Sequence, residues 1–244
     1  MNFDRCFIRI FFLLLFAESF LFAAEKKSPS VIFGIQGGVH FEGLRDYAPQ
    51  DTLDFQSITP QLSIGSNFGF LANIALYQNF HAIFGIRRTV IRPEWTITRN
   101  ILQKTPEGFR NLTNPENAIR TITYNEIPMG VKYRTEHFYL FATYNFAFVD
   151  TVYATDNCDG IENRYALTSH FDKRFQSAEI GAGLVVNRQD AYNSWIFEIA
   201  YNYGFSNLLK RDEKYFRDLR PGGIKIQIGY EIDFSKYLNQ SRMP

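Results

Sequence analysis

From Ile224 to Phe234 the chain reads IKIQIGYEIDF, and its large apolar side chains fall on every second residue. Lys225, Gln227, Gly229, Glu231 and Asp233 stand between them. A period of two is that of a β-strand with one apolar and one polar face. Seven earlier stretches repeat it: VIFGIQGGVHF from Val31, QLSIGSNFGFLANIAL from Gln61, FHAIFGIRRTV from Phe80, ITYNEIPMGVKYR from Ile122, FYLFATYNFAF from Phe138, QSAEIGAGLVVN from Gln176 and WIFEIAYNYGFS from Trp195. The pattern predicts eight strands. Pro128 interrupts the fourth, because proline has no N–H for a ladder, so a bulge or an unpaired position is expected there.

The connections predict how the strands are joined. Tyr77–Asn79, Thr135–His137 and Arg188–Ser194 are short. Glu42–Pro60, Ile91–Ala118, Val149–Phe175 and Asn207–Gly222 are long, and they read as polar, charged loops. Long and short links alternate strictly, as in outer-membrane barrels, whose periplasmic turns are short and whose outer loops are long. With a periplasmic N-terminus, every long link falls outside the cell and both termini stay in the periplasm.

Alternation does not say which face is inside. A soluble, lipocalin-like barrel would turn the apolar face inward, whereas a membrane barrel turns it to lipid. The apolar face carries Tyr, Trp and Phe near strand ends, as an interfacial girdle does. The polar face is rich in glycine and small amides, which suit a narrow lumen. These features and the loop alternation predict an all-β fold: an eight-stranded antiparallel up-and-down transmembrane β-barrel. The lumen then holds Arg87, Glu126, Lys132, Arg134, Glu179, Glu198, Lys225 and Glu231. Strand direction sets Arg87, Glu126, Glu179 and Lys225 in the outer half and Lys132, Arg134, Glu198 and Glu231 in the periplasmic half. Each half has both signs. Eight strands leave an interior that side chains just fill, so a structural salt-bridge plug is expected in preference to a conduction path.

The N-terminus adds a destination. Arg5 and Arg9 flank an apolar run, Ile10–Ala17, too short to span a bilayer, and Ala23 and Ala24 precede the first charges. This reads as a secretory signal peptide over residues 1–24, followed by a barrel over 25–236 and a short periplasmic tail over 237–244. Cys6 lies within the signal, so the mature chain has one cysteine, Cys158, and no internal disulfide. The 25 Phe and 14 Tyr, with Trp only at Trp95 and Trp195, fit β-structure with aromatic girdles better than a helical fold. A formal net charge of +1 gives no support for a nucleic-acid partner.

The segments GIQGGVHF, YNEIPMGVKYR, FATYNFAF, IAYNYGFSNL and GGIKIQIGYEIDF, spread over Val31–Phe234, resemble the PorT-like outer-membrane β-barrel family of Bacteroidetes-type bacteria. The resemblance implies the barrel. It leaves the task open, because a few members serve protein secretion and most are small barrels without an assigned role. In the last strand Gln227, Gly229, Ile232 and Phe234 fit a polar-x-Gly-x-x-apolar-x-apolar pattern that resembles the signal read by barrel-assembly machinery, with Ser235–Pro244 following it.

Chemistry is sparse. His40 is lumen-facing, His81 and His137 lie near the periplasmic turns, and His170 follows Ser169 and precedes Asp172 in an outer loop. No pair has the spacing of a nucleophile and its base, no Cys/His/Asp cluster has metal spacing, and no cofactor is expected. The sequence predicts a non-enzymatic envelope structural or binding protein. Its partners are outer-membrane lipids and lipopolysaccharide, the assembly machinery, and other envelope or secretion proteins. A secretion accessory is the alternative reading, with a narrow pore or a lipid A-modifying enzyme behind it.

Overall fold

The computed structural model describes residues 30–45, 55–61, 63–105, 108–158, 161–187, 193–210 and 219–234. The segments expected to be a signal peptide and a C-terminal tail, and most of the Arg188–Ser194 link, lie outside the described residues. The chain forms β1 (Val31–Arg45), β2 (Phe55–Gln61), β3 (Ser63–Tyr77), β4 (Phe80–Ile91), β5 (Glu94–Thr105), β6 (Gly108–Arg134), β7 (Phe138–Cys158), β8 (Ile161–Ala166), β9 (Arg174–Asn187), β10 (Asn193–Gly204) and β11 (Arg220–Asp233).

Eight of these close a ring. β1 pairs with β3 and β11, and the circuit runs on antiparallel through β4, β6, β7, β9 and β10 back to β11. The members are the eight stretches with period two, and a closed ring leaves them no free edge. The β3–β4 hairpin turns over Gln78 and Asn79, with Gln78 in the left-handed region at φ 43°. Pro128 causes no bulge. It pairs with Asn145 on β7, while the β4–β6 ladder is interrupted between Met129 and Glu126, so its missing donor falls where no partner stands.

The long links are not plain loops. β6 and β7 run 27 and 21 residues, well past the ring, and at their far ends they carry β5 with β2 on one side and β8 on the other. The result is a five-stranded sheet, β2-β5-β6-β7-β8, standing above the barrel mouth. Polar residues in EWTITRNI disguise the alternation that buries Trp95 and Ile97. A bulge at Asp150 switches the inward-facing residues of β7 from odd to even numbers, so that Ala147 below it and Val152 and Ala154 above it all face inward.

Two apolar clusters result. The larger lies at the end of the barrel that carries the long links: Trp95, Ile97, Ile122, Tyr124, Val152 and Ala154 from the sheet and Phe175 from the start of β9 meet Leu167, Phe171, Leu208, Leu209 and Leu219 from the connections. The connections are tied to one another. Asp172 N donates to Leu208 O at 2.7 Å, Lys210 N to His170 O at 2.9 Å, and the Asn207 side-chain oxygen accepts from both Leu209 N and Leu219 N at 2.9 Å. The barrel mouth is therefore capped by a packed core. Trp95, in a link expected to be a loop, belongs to that core and is 1% exposed. The smaller cluster sits in the lumen: Ile83, Tyr139, Phe141, Val185, Ile196 and Ala200.

Candidate functional site

The outer surface of the ring is apolar. On β10 the residues facing out are Trp195, Phe197, Ile199, Tyr201 and Tyr203, with Phe205 just beyond, all exposed. At about 3.3 Å per residue and a tilt near 40°, this run spans roughly 25 Å along the barrel axis, the height of a lipid-facing band. Aromatic pairs mark its lower edge: Trp195 with Tyr230 at 5.1 Å, Phe80 with Tyr133 at 5.2 Å and Phe33 with Phe234 at 5.4 Å. Near the upper edge Arg88 points outward and pairs with Asp150 at 2.8 Å, both exposed.

The inside is the reverse. In the half of the lumen nearer the cap Arg87 lies between two carboxylates. Its Nε and Nη2 donate to Glu126 at 3.2 and 3.0 Å, and its Nη1 and Nη2 donate to Glu179 at 3.2 and 2.8 Å. Lys225 Nζ stands 2.7 Å from Glu179 and 3.5 Å from Glu126, and Thr89 Oγ1 donates to Glu126 at 2.6 Å. Each of these four ionic side chains is at most 2% exposed. Two positive and two negative charges make a neutral quartet. Arg87 suits its centre because a planar guanidinium can bond two carboxylates at once.

Toward the other rim Glu231 accepts from Lys132 Nζ at 3.2 Å, from Asn73 Nδ2 at 3.2 Å, and from Arg134. Glu198 does not join this group. Among the described residues no cation lies within ion-pair distance of it. It accepts from Tyr139 Oη at 2.9 Å and, with the Gln227 amide oriented to suit its neighbours, from that side chain at 2.8 Å. Lys132 Nζ lies 4.3 Å from the centre of the Tyr139 ring, so Tyr139 is the link between Lys132 and Glu198. Sequence reasoning missed Tyr139 because FYLF is aromatic or apolar on both faces. The usable signal was the glycine pair opposite. A Cβ at Gly183 would stand 2.2 Å from Tyr139 Cζ, and one at Gly181 2.5 Å from the Phe141 ring. The rings lie across the space those glycines leave open.

Between the two charge groups the lumen narrows to a void of about 10 Å³, bounded by residues including Gln36, Ile83, Arg87, Lys132, Phe141 and Glu198. That is room for about one water molecule. The interior is filled by side chains, as an eight-stranded circumference requires. An apolar exterior around buried, paired charge is the arrangement of an outer-membrane β-barrel and the opposite of a soluble one.

The four histidines stay apart. His40 is buried against Asn67, His81 is buried near the lower rim with Nδ1 unpaired, and His137 is exposed in a turn. His170 Nδ1 lies 3.5 Å from Ser169 Oγ on a one-turn 3₁₀ helix, Thr168–His170, between Leu167 and Phe171 of the cap. Among the described residues no group of three His, Cys, Asp or Glu is placed to hold a metal. In β11, Gln227 and Gly229 face the lumen, and Ile232 and Phe234 lie on the outward side. Gly229 faces inward for a reason of packing: a Cβ there would lie 2.8 Å from Ile196 Cγ1.

No protein-family model matches the chain, and no curated protein matches it in sequence. Among solved structures it is similar to the outer membrane protease OmpT of Escherichia coli, at 11% identity over 86% of this chain and 99% of that one, with a TM-score of 0.42. It is also similar to Ail, the attachment invasion locus protein of Yersinia pestis, at 13% identity over 85% and 100% with a TM-score of 0.38, and to OprG of Pseudomonas aeruginosa, at 8% over 85% and 97% with a TM-score of 0.34. These likenesses are too loose to bring any of those proteins' activities to this chain.

Proposed function

We propose that the protein is a non-enzymatic, integral outer-membrane barrel that works at its outer end. It presents the β2-β5-β6-β7-β8 sheet to the cell exterior on a closed, membrane-anchored base, with both termini in the periplasm. The observation that carries this reading is the joint burial of the Arg87/Glu126/Glu179/Lys225 quartet and of the apolar cap, one filling the lumen and the other its mouth. A base closed twice over serves as a platform and leaves no water-filled path through it. The terminal pattern of Gln227, Gly229, Ile232 and Phe234 fits delivery to the membrane by β-augmentation with the assembly machinery. The PorT-like resemblance is the sole support for a secretion accessory, which would dock neighbours through the same outer sheet or the periplasmic turns.

The test has two parts. Envelope fractions should carry the protein with the outer membrane as a heat-modifiable band, and purified protein in a planar bilayer should show no steady conductance. Recovery as a soluble periplasmic protein would overturn the membrane assignment. Steady conductance would overturn the closed base and put a narrow pore in its place.

A further inference from the structure

On the outer flank of the barrel, where β7 leaves β9 to pair with β8, there is a groove of about 330 Å³. Phe146 and Phe148 of β7 and Arg174 and Gln176 of β9 form its sides, with Ala147 and Phe175 at its floor. We propose that this groove binds a membrane lipid with an anionic, phosphate-bearing headgroup, its chain lying on the aromatic wall and its phosphate on Arg174. The proposal rests on the outer-membrane reading above and names one ligand class for that surface.

Position argues for a lipid. The groove lies at the upper edge of the apolar band: Ile180 lies below it on β9 and is 62% exposed, and the outward-facing ion pair Arg88–Asp150 begins just above Phe148. A molecule filling it must be apolar below and polar above. Shape agrees. Tyr144 Oη donates to Gln176 at 2.6 Å and stacks on Phe205 at 6.1 Å, which fixes one wall in place before anything binds. Charge selects the head. The Arg174 guanidinium lies over the Phe148 ring at 5.9 Å, is exposed, and among the described residues has no carboxylate partner. Asp150, two residues along β7, is already taken by Arg88. An arginine at an interface, beside an aromatic ring and without a carboxylate partner among the described residues, suits a phosphate oxygen.

The test is native mass spectrometry of full-length protein released from nanodiscs containing equal phosphatidylglycerol and phosphatidylcholine with matched chains. Wild type should retain the anionic lipid with about a fivefold preference, the effect of one cation near an anionic lipid surface. Arg174→Gln should abolish the preference, and Phe148→Ala should reduce total retention. Arg88→Gln with Asp150→Asn removes the neighbouring ion pair of the same rim as a unit, freeing no carboxylate, and should change neither. Inorganic phosphate at millimolar concentration should not displace the lipid; if it does, the site takes a free anion and the proposal is overturned. Equal retention of both lipids by wild type, or equal losses in Arg174→Gln and in the Arg88→Gln/Asp150→Asn double variant, would also overturn it. Failure to enter nanodiscs at all would instead strike the membrane reading.

Discussion

Arg87→Gln tests the lumen plug most directly. In the wild type this side chain makes four charge-assisted hydrogen bonds, two to Glu126 and two to Glu179, in a group whose formal charge is zero. Glutamine keeps most of the volume but leaves one net negative charge at a site where neither carboxylate exceeds 2% exposure. Lys225 remains, at 2.7 Å from Glu179 and 3.5 Å from Glu126, and cannot neutralise both. Breaking a buried pair from one side costs about 3–5 kcal/mol, and two carboxylates sharing one ammonium place this case at the upper end. Replacing the second charge as well restores neutrality, so Arg87→Gln with Glu179→Gln should recover all but about 1–2 kcal/mol, the cost of imperfect hydrogen bonding between neutral amides. Arg87→Lys keeps the charge but loses the fork, and should fall between wild type and Arg87→Gln. The assay is urea unfolding in detergent micelles, followed by the heat-modifiable band and repeated at low and high salt. Buried charges are poorly screened, so the differences should survive salt. Arg87→Gln within 1 kcal/mol of wild type, or a double variant no more stable than the single one, would refute the electrostatic account.

Lys132→Gln with Arg134→Gln strips Glu231 of both cations and should destabilise the barrel by about 3–5 kcal/mol. Adding Glu231→Gln should rescue it and adding Glu198→Gln should not, which the same unfolding curves decide. Gly183→Ala places a methyl group against Tyr139 and should cost about 1–3 kcal/mol, with Tyr139→Ala in the same chain removing the clash and leaving a cavity penalty of its own. Trp95→Ala should cost about 3–5 kcal/mol within the cap, read as faster proteolysis of the outer sheet while the barrel core still runs as a heat-modifiable band. Phe234→Ala should lower the yield of assembled barrel in cells; it is a cleaner probe of the terminal pattern than Gly229→Ala, because Gly229 also makes room for Ile196. Unchanged yield would reduce the pattern to ordinary strand alternation.

The ring was readable because lipid and lumen impose opposite chemistry on adjacent residues. In β11, Ile224, Ile226 and Ile228 are each about half exposed while Lys225 and Gln227 are at most 2% exposed, and no single-residue slip of register satisfies both faces. Strand direction then sorts the charges by depth, which is enough to group Arg87 with Glu126, Glu179 and Lys225. It could not separate Glu198 from Glu231, since depth says nothing of the side chains between them, and there the deciding residue is Tyr139. The cap was hidden for a related reason. Above the membrane both faces of a strand can tolerate polar groups, so Trp95 and Ile97 alternate with threonine in a segment that also carries Arg92, Glu94 and Arg99. Period two persists there, but the charge of the segment masks it.

The distribution of sign along the lumen bears on what the barrel can pass. A path for a cation or an anion gains from charges of one sign along its length, as in selective pores. Here each negative charge is held by a donor within hydrogen-bond distance: Glu126 and Glu179 by Arg87, Glu231 by Lys132, and Glu198 by Tyr139. An ion of either sign would have to displace a bonded counter-charge in each group and then cross a gap with room for about one water. Above that it would meet Ile122, Val152, Phe171 and Leu208, which are nearly fully buried and offer no polar atom. Opening the barrel therefore requires two independent rearrangements, one of ion pairs and one of an apolar core. Steady conduction should require a variant that damages both, such as Arg87→Ala combined with Phe171→Ala. Either change alone should leave a planar bilayer silent, and steady current from the single cap variant would show that the ion pairs do not close the lumen.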